Sequence, residues 1–149
     1  MSKTPRVISW LLFVAGAILL VAGAVTYYTV SSQLGDQRIV VSDDASCQQG
    51  EAVNGPVEAF CMAQVIGKHS LKSTNGKTYA ELDREDPLRT TAMNASFLQA
   101  SLFTSVVAFG VAAFAMGVGV LSLLIGWAIA ALDRNARRAL AASATATVG

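Results

Sequence analysis

The sequence has few charged residues for its length. Asp, Glu, Lys and Arg make up 14% of the 149 residues, against about 25% in a typical soluble domain. The formal net charge is +1 and no stretch is densely basic. A nucleic-acid-binding protein is therefore excluded as the leading interpretation. Scarce charge together with 53% hydrophobic residues is typical of a membrane protein.

Histidine is almost absent, and this excludes most metal-dependent chemistry. His69 is the single histidine, and its polar surroundings predict a solvated loop position. Non-haem iron sites and zinc sites of the three-histidine or H-E-x-x-H type need more histidines than this chain has. The nucleophile motif G-x-S-x-G and the dinucleotide motif G-x-G-x-x-G are missing as well. The sequence predicts no catalytic residue, no metal, no cofactor and no enzyme activity.

Two uncharged apolar blocks are present. As a helix, residues 7–25 would extend roughly 28 Å, close to the hydrocarbon thickness of a bilayer. Residues 106–132 would extend about 40 Å, so this helix would tilt or continue beyond the lipid. The predicted fold class is a mainly α membrane protein: a two-helix transmembrane hairpin with a small α or α+β extracytoplasmic loop domain.

The segments follow from these blocks and from helix-capping signals. Gly35 is expected to stop the first helix, and Asp86-Pro87 is expected to cap the second. The predicted order is a cytoplasmic N-terminus (1–6), transmembrane helix 1 with its extension (7–34), the loop domain (35–86), a helical stalk (87–105), transmembrane helix 2 (106–132) and a disordered cytoplasmic tail (133–149).

Basic residues flank the two blocks on the same side. Lys3 and Arg6 precede the first span, and three arginines within residues 134–138 follow the second. The positive-inside rule therefore predicts a multi-pass plasma membrane protein with both termini in the cytoplasm and the loop outside. The alternative is a signal peptide cleaved after Ala24, which would leave a single span.

The two cysteines, Cys47 and Cys61, both fall in the loop. Thiols on the oxidising side of a membrane favour a disulfide, and a closed loop of about 15 residues contributes about 3 kcal/mol in the chain-entropy estimate. Two separate free thiols are the alternative. The loop is also expected to hold a short strand at residues 38–42 and a helix from residue 55 to about 68.

Small residues recur every seven positions in both spans. They are Gly16 and Gly23 in the first span, and Ser105, Ala112, Gly119 and Gly126 in the second. Small residues let helices approach closely in lipid. Pairing Trp10 with Trp127 and Tyr28 with about Phe109 as interface residues then places Gly16 near Gly119 and Ser122, and Gly23 near Ala112 and Ala115. A neighbouring stripe at positions 108, 115 and 122 leaves room for a second partner helix or self-association through span 2.

Two stretches carry a family resemblance. Residues 76–87 have the sequence GKTYAELDREDP, and residues 95–110 have the sequence ASFLQASLFTSVVAFG. Over most of residues 7–132 the chain resembles a family of small actinobacterial two-span membrane proteins of unknown function. Some members are described as aromatic ring-opening dioxygenases, which the single histidine does not support. The resemblance implies an actinobacterial plasma membrane and no established activity, and it transfers no functional residue.

Two functional hypotheses remain. The first is a non-enzymatic interaction or accessory subunit that presents a disulfide-stapled extracytoplasmic domain. Its partners would be the lipid bilayer and a larger membrane protein complex, with no nucleic acid. The alternative is an extracytoplasmic ligand-binding or sensing module anchored by two helices.

Overall fold

The computed structural model describes residues 4–146, and these residues are mainly α-helical with no strand. Helix α1 is Thr4–Asp36, α2 is Pro56–Ser73 and α3 is Arg89–Ala146, with a 3₁₀ turn at Tyr79–Glu81 before α3. The chain divides into two compact units. We call residues 4–24 with 113–146 the span unit, and Val25–Ala112 the loop unit.

Helices α1 and α3 are both long and apolar enough to cross a membrane. With 33 and 58 residues, they extend about 50 Å and about 87 Å. Large apolar side chains on both helices are exposed, including Trp10 at 64%, Phe114 at 73% and Trp127 at 61%. A core helix of a soluble protein buries such side chains, whereas a lipid-facing helix exposes them to hydrocarbon.

The end of α1 differs from the predicted stop at Gly35. The helix continues through Gly35 to Asp36. The N–H of Gln37 donates to the Leu34 carbonyl at 3.1 Å, and the N–H of Arg38 donates to the Gly35 carbonyl at 3.0 Å. Arg38 adopts the left-handed conformation, with φ of 52°. Helix α1 therefore ends one residue after Gly35, and the left-handed residue that follows it is Arg38.

The predicted stalk and second span form one continuous helix. Asp86 caps the start of this helix, because Oδ1 of Asp86 accepts the N–H of Leu88 at 2.8 Å. The Asp86 carbonyl accepts the N–H of Arg89 at 3.0 Å. The first turn after Asp86-Pro87 is thus not yet α-helical, and α3 begins at Arg89.

The predicted disorder of residues 133–149 is corrected for residues 133–146, because α3 continues to Ala146. Residues 147–149 lie outside the described part of the chain. Asp133 accepts two hydrogen bonds from Arg137, at 2.9 Å from Nε and 3.1 Å from Nη2. This pair has the i,i+4 spacing that supports a helix, and the following residues are rich in alanine, the strongest helix former.

The core of the loop unit collects apolar side chains from all three helices and from the loop after α1. Its buried members include Leu34, Val41, Val53, Ala59, Ala63, Val65 and Leu102. Phe109 is 1% exposed and meets the Tyr27 ring edge-on, with centroids 4.8 Å apart. Burial of these side chains is the main stabilising contribution to the unit.

The segment between α1 and α2 is tied together by backbone hydrogen bonds. The N–H of Val41 donates to Glu51 and the N–H of Val53 donates to Ile39, both at 2.9 Å. The strand predicted at residues 38–42 is present only as a single antiparallel bridge between Val40 and Ala52. Helix α2 begins at Pro56, next to the expected start, and ends at Ser73 rather than near residue 68.

Candidate functional site

A disulfide connects the segment after α1 to α2. The structure joins Cys47 and Cys61, whose Cα atoms are 5.8 Å apart. Cys61 is 1% exposed and belongs to the core, whereas Cys47 is half-buried. The crosslink therefore holds an irregular loop against the buried face of α2.

A second link between these elements joins Asp44 to His69. The Oδ2 atom of Asp44 lies 2.7 Å from Nε2 of His69, and the Ser42 hydroxyl donates to Oδ1 of Asp44 at 2.7 Å. The hydrogen bond from His69, followed by that from Ser42, lowers the pKa of Asp44 to about 2. His69 lies on α2 rather than in a loop. No sequence motif signals a pair separated by 25 positions.

An open cleft of about 790 Å³ lies beside this pair in the loop unit. Residues from the loop after α1, from α2, from the 3₁₀ turn and from α3 line it. Its walls include Asp44, Gln64, Lys68, Tyr79 and Gln99. The cleft therefore gathers side chains from four segments that are distant in sequence.

Two side-chain amides in the cleft have free hydrogen-bonding capacity. Within residues 4–146, neither Gln64 nor Gln99 forms a side-chain hydrogen bond to the protein. Gly67 makes room for one of them, because a methyl group at this position would lie 2.6 Å from Nε2 of Gln99. An amide both donates and accepts hydrogen bonds, so these groups are available to a ligand.

The Tyr79 ring is held in place by its neighbours. The guanidinium carbon of Arg89 lies 4.2 Å from the ring centroid, a cation–π arrangement. In the 3₁₀ turn, Oε2 of Glu81 accepts the backbone N–H and the hydroxyl of Thr78, both at 2.8 Å. These two bonds, the backbone one first, lower the pKa of Glu81. The cation–π contact therefore joins the 3₁₀ turn to the first residue of α3.

Metal-ion chemistry finds no support in this geometry. In the part of the chain that the structure describes, no group of three His, Cys, Asp or Glu side chains is arranged to hold a metal ion. Glu81 and Asp86 direct carboxylate oxygens to backbone N–H groups instead.

A glycine seam connects α1 and α3 inside the span unit. A methyl group at Gly16 would lie 2.8 Å from the Gly119 carbonyl oxygen, and the reverse distance is also 2.8 Å. A methyl group at Gly126 would lie 3.2 Å from the Ser9 carbonyl oxygen. Ser9 lies next to Gly126, and Gly16 lies next to Gly119. A step of seven residues forward along α1 thus corresponds to a step of seven residues backward along α3, so the two helices are antiparallel.

Gly23 and Ala112 are both buried, but they belong to different units. Ser9 was not predicted to belong to this seam, although its hydroxyl donates to the Gly126 carbonyl at 2.8 Å and the residue is 5% exposed. Its position, seven residues before Gly16, was the available signal. The stripe at positions 108, 115 and 122 is half-buried.

Comparison of the chain with models of protein families, with curated proteins and with solved structures found no match.

Proposed function

We propose that this protein is a non-enzymatic, multi-pass plasma membrane protein of actinobacterial type, with both termini in the cytoplasm and the loop unit outside. The exposed apolar surfaces of α1 and α3 support a membrane location. Basic residues at the N-terminal end of α1 and near the end of α3 support this orientation. The Cys47–Cys61 disulfide is suited to an oxidising compartment.

Its proposed role is that of an interaction or accessory subunit that presents the stapled loop unit to a membrane partner. The observation that carries this role is the exposure of Phe97 at 65% and Leu98 at 54% on α3. We place the outer membrane interface at Tyr27 and Tyr28, because tyrosines favour that level, and the contact between Tyr27 and Phe109 puts Phe109 at the same level. Phe97 then lies about 18 Å farther along the helix, beyond the headgroups.

Leu98 also borders a groove of about 420 Å³ in the loop unit. The apolar part of its lining includes Leu34, Ile39, Ile66, Leu98 and Leu102. Exposed apolar patches on soluble surfaces mark interaction sites. A partner that covers Phe97 and this groove would remove apolar surface from water.

Purification of the tagged full-length chain in mild detergent tests this role. We expect wild type and Ala100→Ser, an exposed position on the same stretch of α3, to elute within a larger complex. The double variant Phe97→Ser/Leu98→Ser is expected to release the partner, because it removes the apolar contact. A wild-type protein that elutes as a lone monomer at low detergent concentration would contradict the proposal.

The second candidate function is ligand binding or sensing by the loop unit. The cleft of about 790 Å³ with its unpaired amides favours it, since small-molecule sites are concave and contain a few convergent polar groups. Ligand-induced thermal stabilisation of the full-length protein, reduced by Gln99→Ala, would support this function. An equal response of wild type and variant would weaken it.

A further inference from the structure

We propose that the cleft of the loop unit binds a neutral, hydroxyl-rich ligand, namely a carbohydrate. This inference rests on the second candidate function and specifies its ligand class. The cleft volume of about 790 Å³ falls within the range of about 300 to 1,000 Å³ that small-molecule sites occupy. It is large enough for one or more sugar rings.

The hydrogen-bonding groups of the cleft match those of a sugar. Each sugar hydroxyl both donates and accepts, and it is therefore best met by protein groups that do the same. The amides of Gln64 and Gln99 have this property, and so do the hydroxyls of Ser46 and Ser70 in the same lining. These groups come from the loop after α1 and from both α2 and α3, so they can meet a ring from different directions.

The charges of the cleft favour a neutral ligand over an ion. Lys68 and Asp44 are both in the lining, and Lys68 contributes to lowering the pKa of Asp44. An anion attracted to Lys68 would thus meet the carboxylate of Asp44, which repels it. A cation would find this carboxylate already hydrogen-bonded to His69 and Ser42. In the cleft, Lys68 and Asp44 therefore oppose each other's attraction for an anion or a cation.

Apolar contact is available for the C–H face of a sugar ring. Tyr79, Val65 and Leu71 belong to the lining, and Tyr79 is 37% exposed with Arg89 over one face of its ring. An aromatic side chain has few rotatable bonds, so it supplies contact area at little cost in conformational entropy. Flat apolar contact combined with unpaired amides suits an amphipathic sugar ring better than a fully apolar ligand.

The location of the cleft decides which sugars can reach it. Gln99 lies ten residues before Phe109 on α3, about 15 Å beyond the proposed membrane interface. A soluble sugar can enter the cleft from water, whereas the sugar headgroup of a lipid would have to extend out of the bilayer to reach it. Both sources share the same ring chemistry, so the test includes one probe for each.

Three variants alter the cleft without touching the core. Gln64→Ala and Gln99→Ala each remove an unpaired amide. Gly67→Ala places a methyl group 2.6 Å from the present position of the Gln99 amide, whose flexible end must move away. Gln33→Ala, in the separate groove of about 420 Å³, is the matched control because it removes the same side chain elsewhere in the loop unit.

The experiment is ligand-observed saturation-transfer NMR on the full-length protein in nanodiscs. Methyl α-glucoside and N-acetylglucosamine are the probes for a soluble sugar. Nanodiscs that contain glucosyl diacylglycerol are the probe for a headgroup sugar, with methyl α-glucoside as the competitor. Glucose 6-phosphate and glucosamine are the charged controls. We expect transfer to a neutral sugar that falls by about fivefold or more in the three cleft variants, because each removes or displaces a hydrogen bond, and that is unchanged in Gln33→Ala.

The outcomes distinguish the proposed carbohydrate class from ligand binding by the cleft in general. Saturation transfer that occurs only to a charged analogue, and that falls in the three cleft variants, would overturn the neutral carbohydrate class but would still support ligand binding by the cleft. Transfer that is equal in wild type and all variants, or the lack of transfer to any probe, would overturn both. Circular dichroism and disulfide content of each variant, equal to wild type, show that a lost signal does not come from unfolding.

Discussion

Gly16 and Gly119 lie where the backbones of α1 and α3 approach closely. Each would place a methyl group 2.8 Å from the carbonyl oxygen of the other. Backbone atoms cannot rotate away as a side chain can, so the helices themselves would have to separate. Ser9 adds a hydrogen bond to the Gly126 carbonyl at the next contact along this seam, and such bonds contribute to helix association in lipid.

Gly16→Ala is therefore expected to reduce the free energy of unfolding by about 1–3 kcal/mol, as for other overpacked sites. Reversible unfolding of the full-length protein in mixed micelles measures this change. Gly117→Ala is the control, because a methyl group there meets nothing within 4 Å. Equal stability of the two variants would show that the seam does not hold the helices together.

The ionisation of Asp44 makes the stability of the loop unit depend on pH in the acid range. Its folded-state pKa is about 2, below the ordinary value of 3.8, chiefly because of the hydrogen bond from His69. The stabilising contribution of its ionised form is complete above pH 3.8 and is lost as pH falls through about 2. Carboxyl NMR shifts should show Asp44 titrating near 2 in wild type and closer to 3.8 in His69→Ala. An unchanged Asp44 pKa in this variant would contradict the assigned cause.

At the scale of elements, the disulfide fixes the irregular segment after α1 against α2. Replacing Cys47 and Cys61 together by serine should destabilise the loop unit by about 3 kcal/mol, because the unfolded chain regains the freedom that the crosslink removes. Hydrogen exchange of the α2 amides measures the opening. Reducing agent should accelerate exchange in wild type and leave the double variant unchanged. Equal exchange in oxidised and reduced wild type would contradict this stabilising role.

The main elements could be predicted because their signals are local and repeated. Uncharged apolar runs indicated α1 and α3, and the Asp86-Pro87 cap indicated where α3 starts. The end of α1 was misjudged because Arg38, rather than Gly35, adopts the left-handed conformation. The helix beyond residue 133 was not predicted because the low complexity of the tail is typical of disorder, whereas the Asp133–Arg137 pair and the alanines stabilise a helix there.

At the scale of the whole molecule, the sequence predicted the helix seam better than the cleft. The approach of Gly16 to Gly119 was predicted from the seven-residue repeats together with the pairing of aromatic residues at each membrane interface, Trp10 with Trp127 and Tyr28 with Phe109. The cleft depends on Gln64, Tyr79 and Gln99, which come from three separate segments and share no spacing rule. Only the packing of α2 and the 3₁₀ turn beside α3 gives these side chains a common surface.

The central claim is that two membrane spans hold the disulfide-stapled loop unit outside the cytoplasm. Cysteine accessibility in intact cells tests it most directly, with a membrane-impermeant maleimide applied before and after an impermeant reductant, and with mass determination of the mature chain. A variant with Asn135→Cys as its only cysteine, exposed near the end of α3, reports the opposite side.

The account predicts that Cys47, which is half-buried, is labelled only after reduction and at full-length mass. The Asn135→Cys variant should be labelled only after the cells are permeabilised. Labelling of the native cysteines without reduction would contradict the disulfide, and a mass that lacks residues 1–24 would contradict the first span. Native cysteines that react only after lysis would place the loop unit in the cytoplasm and overturn the account.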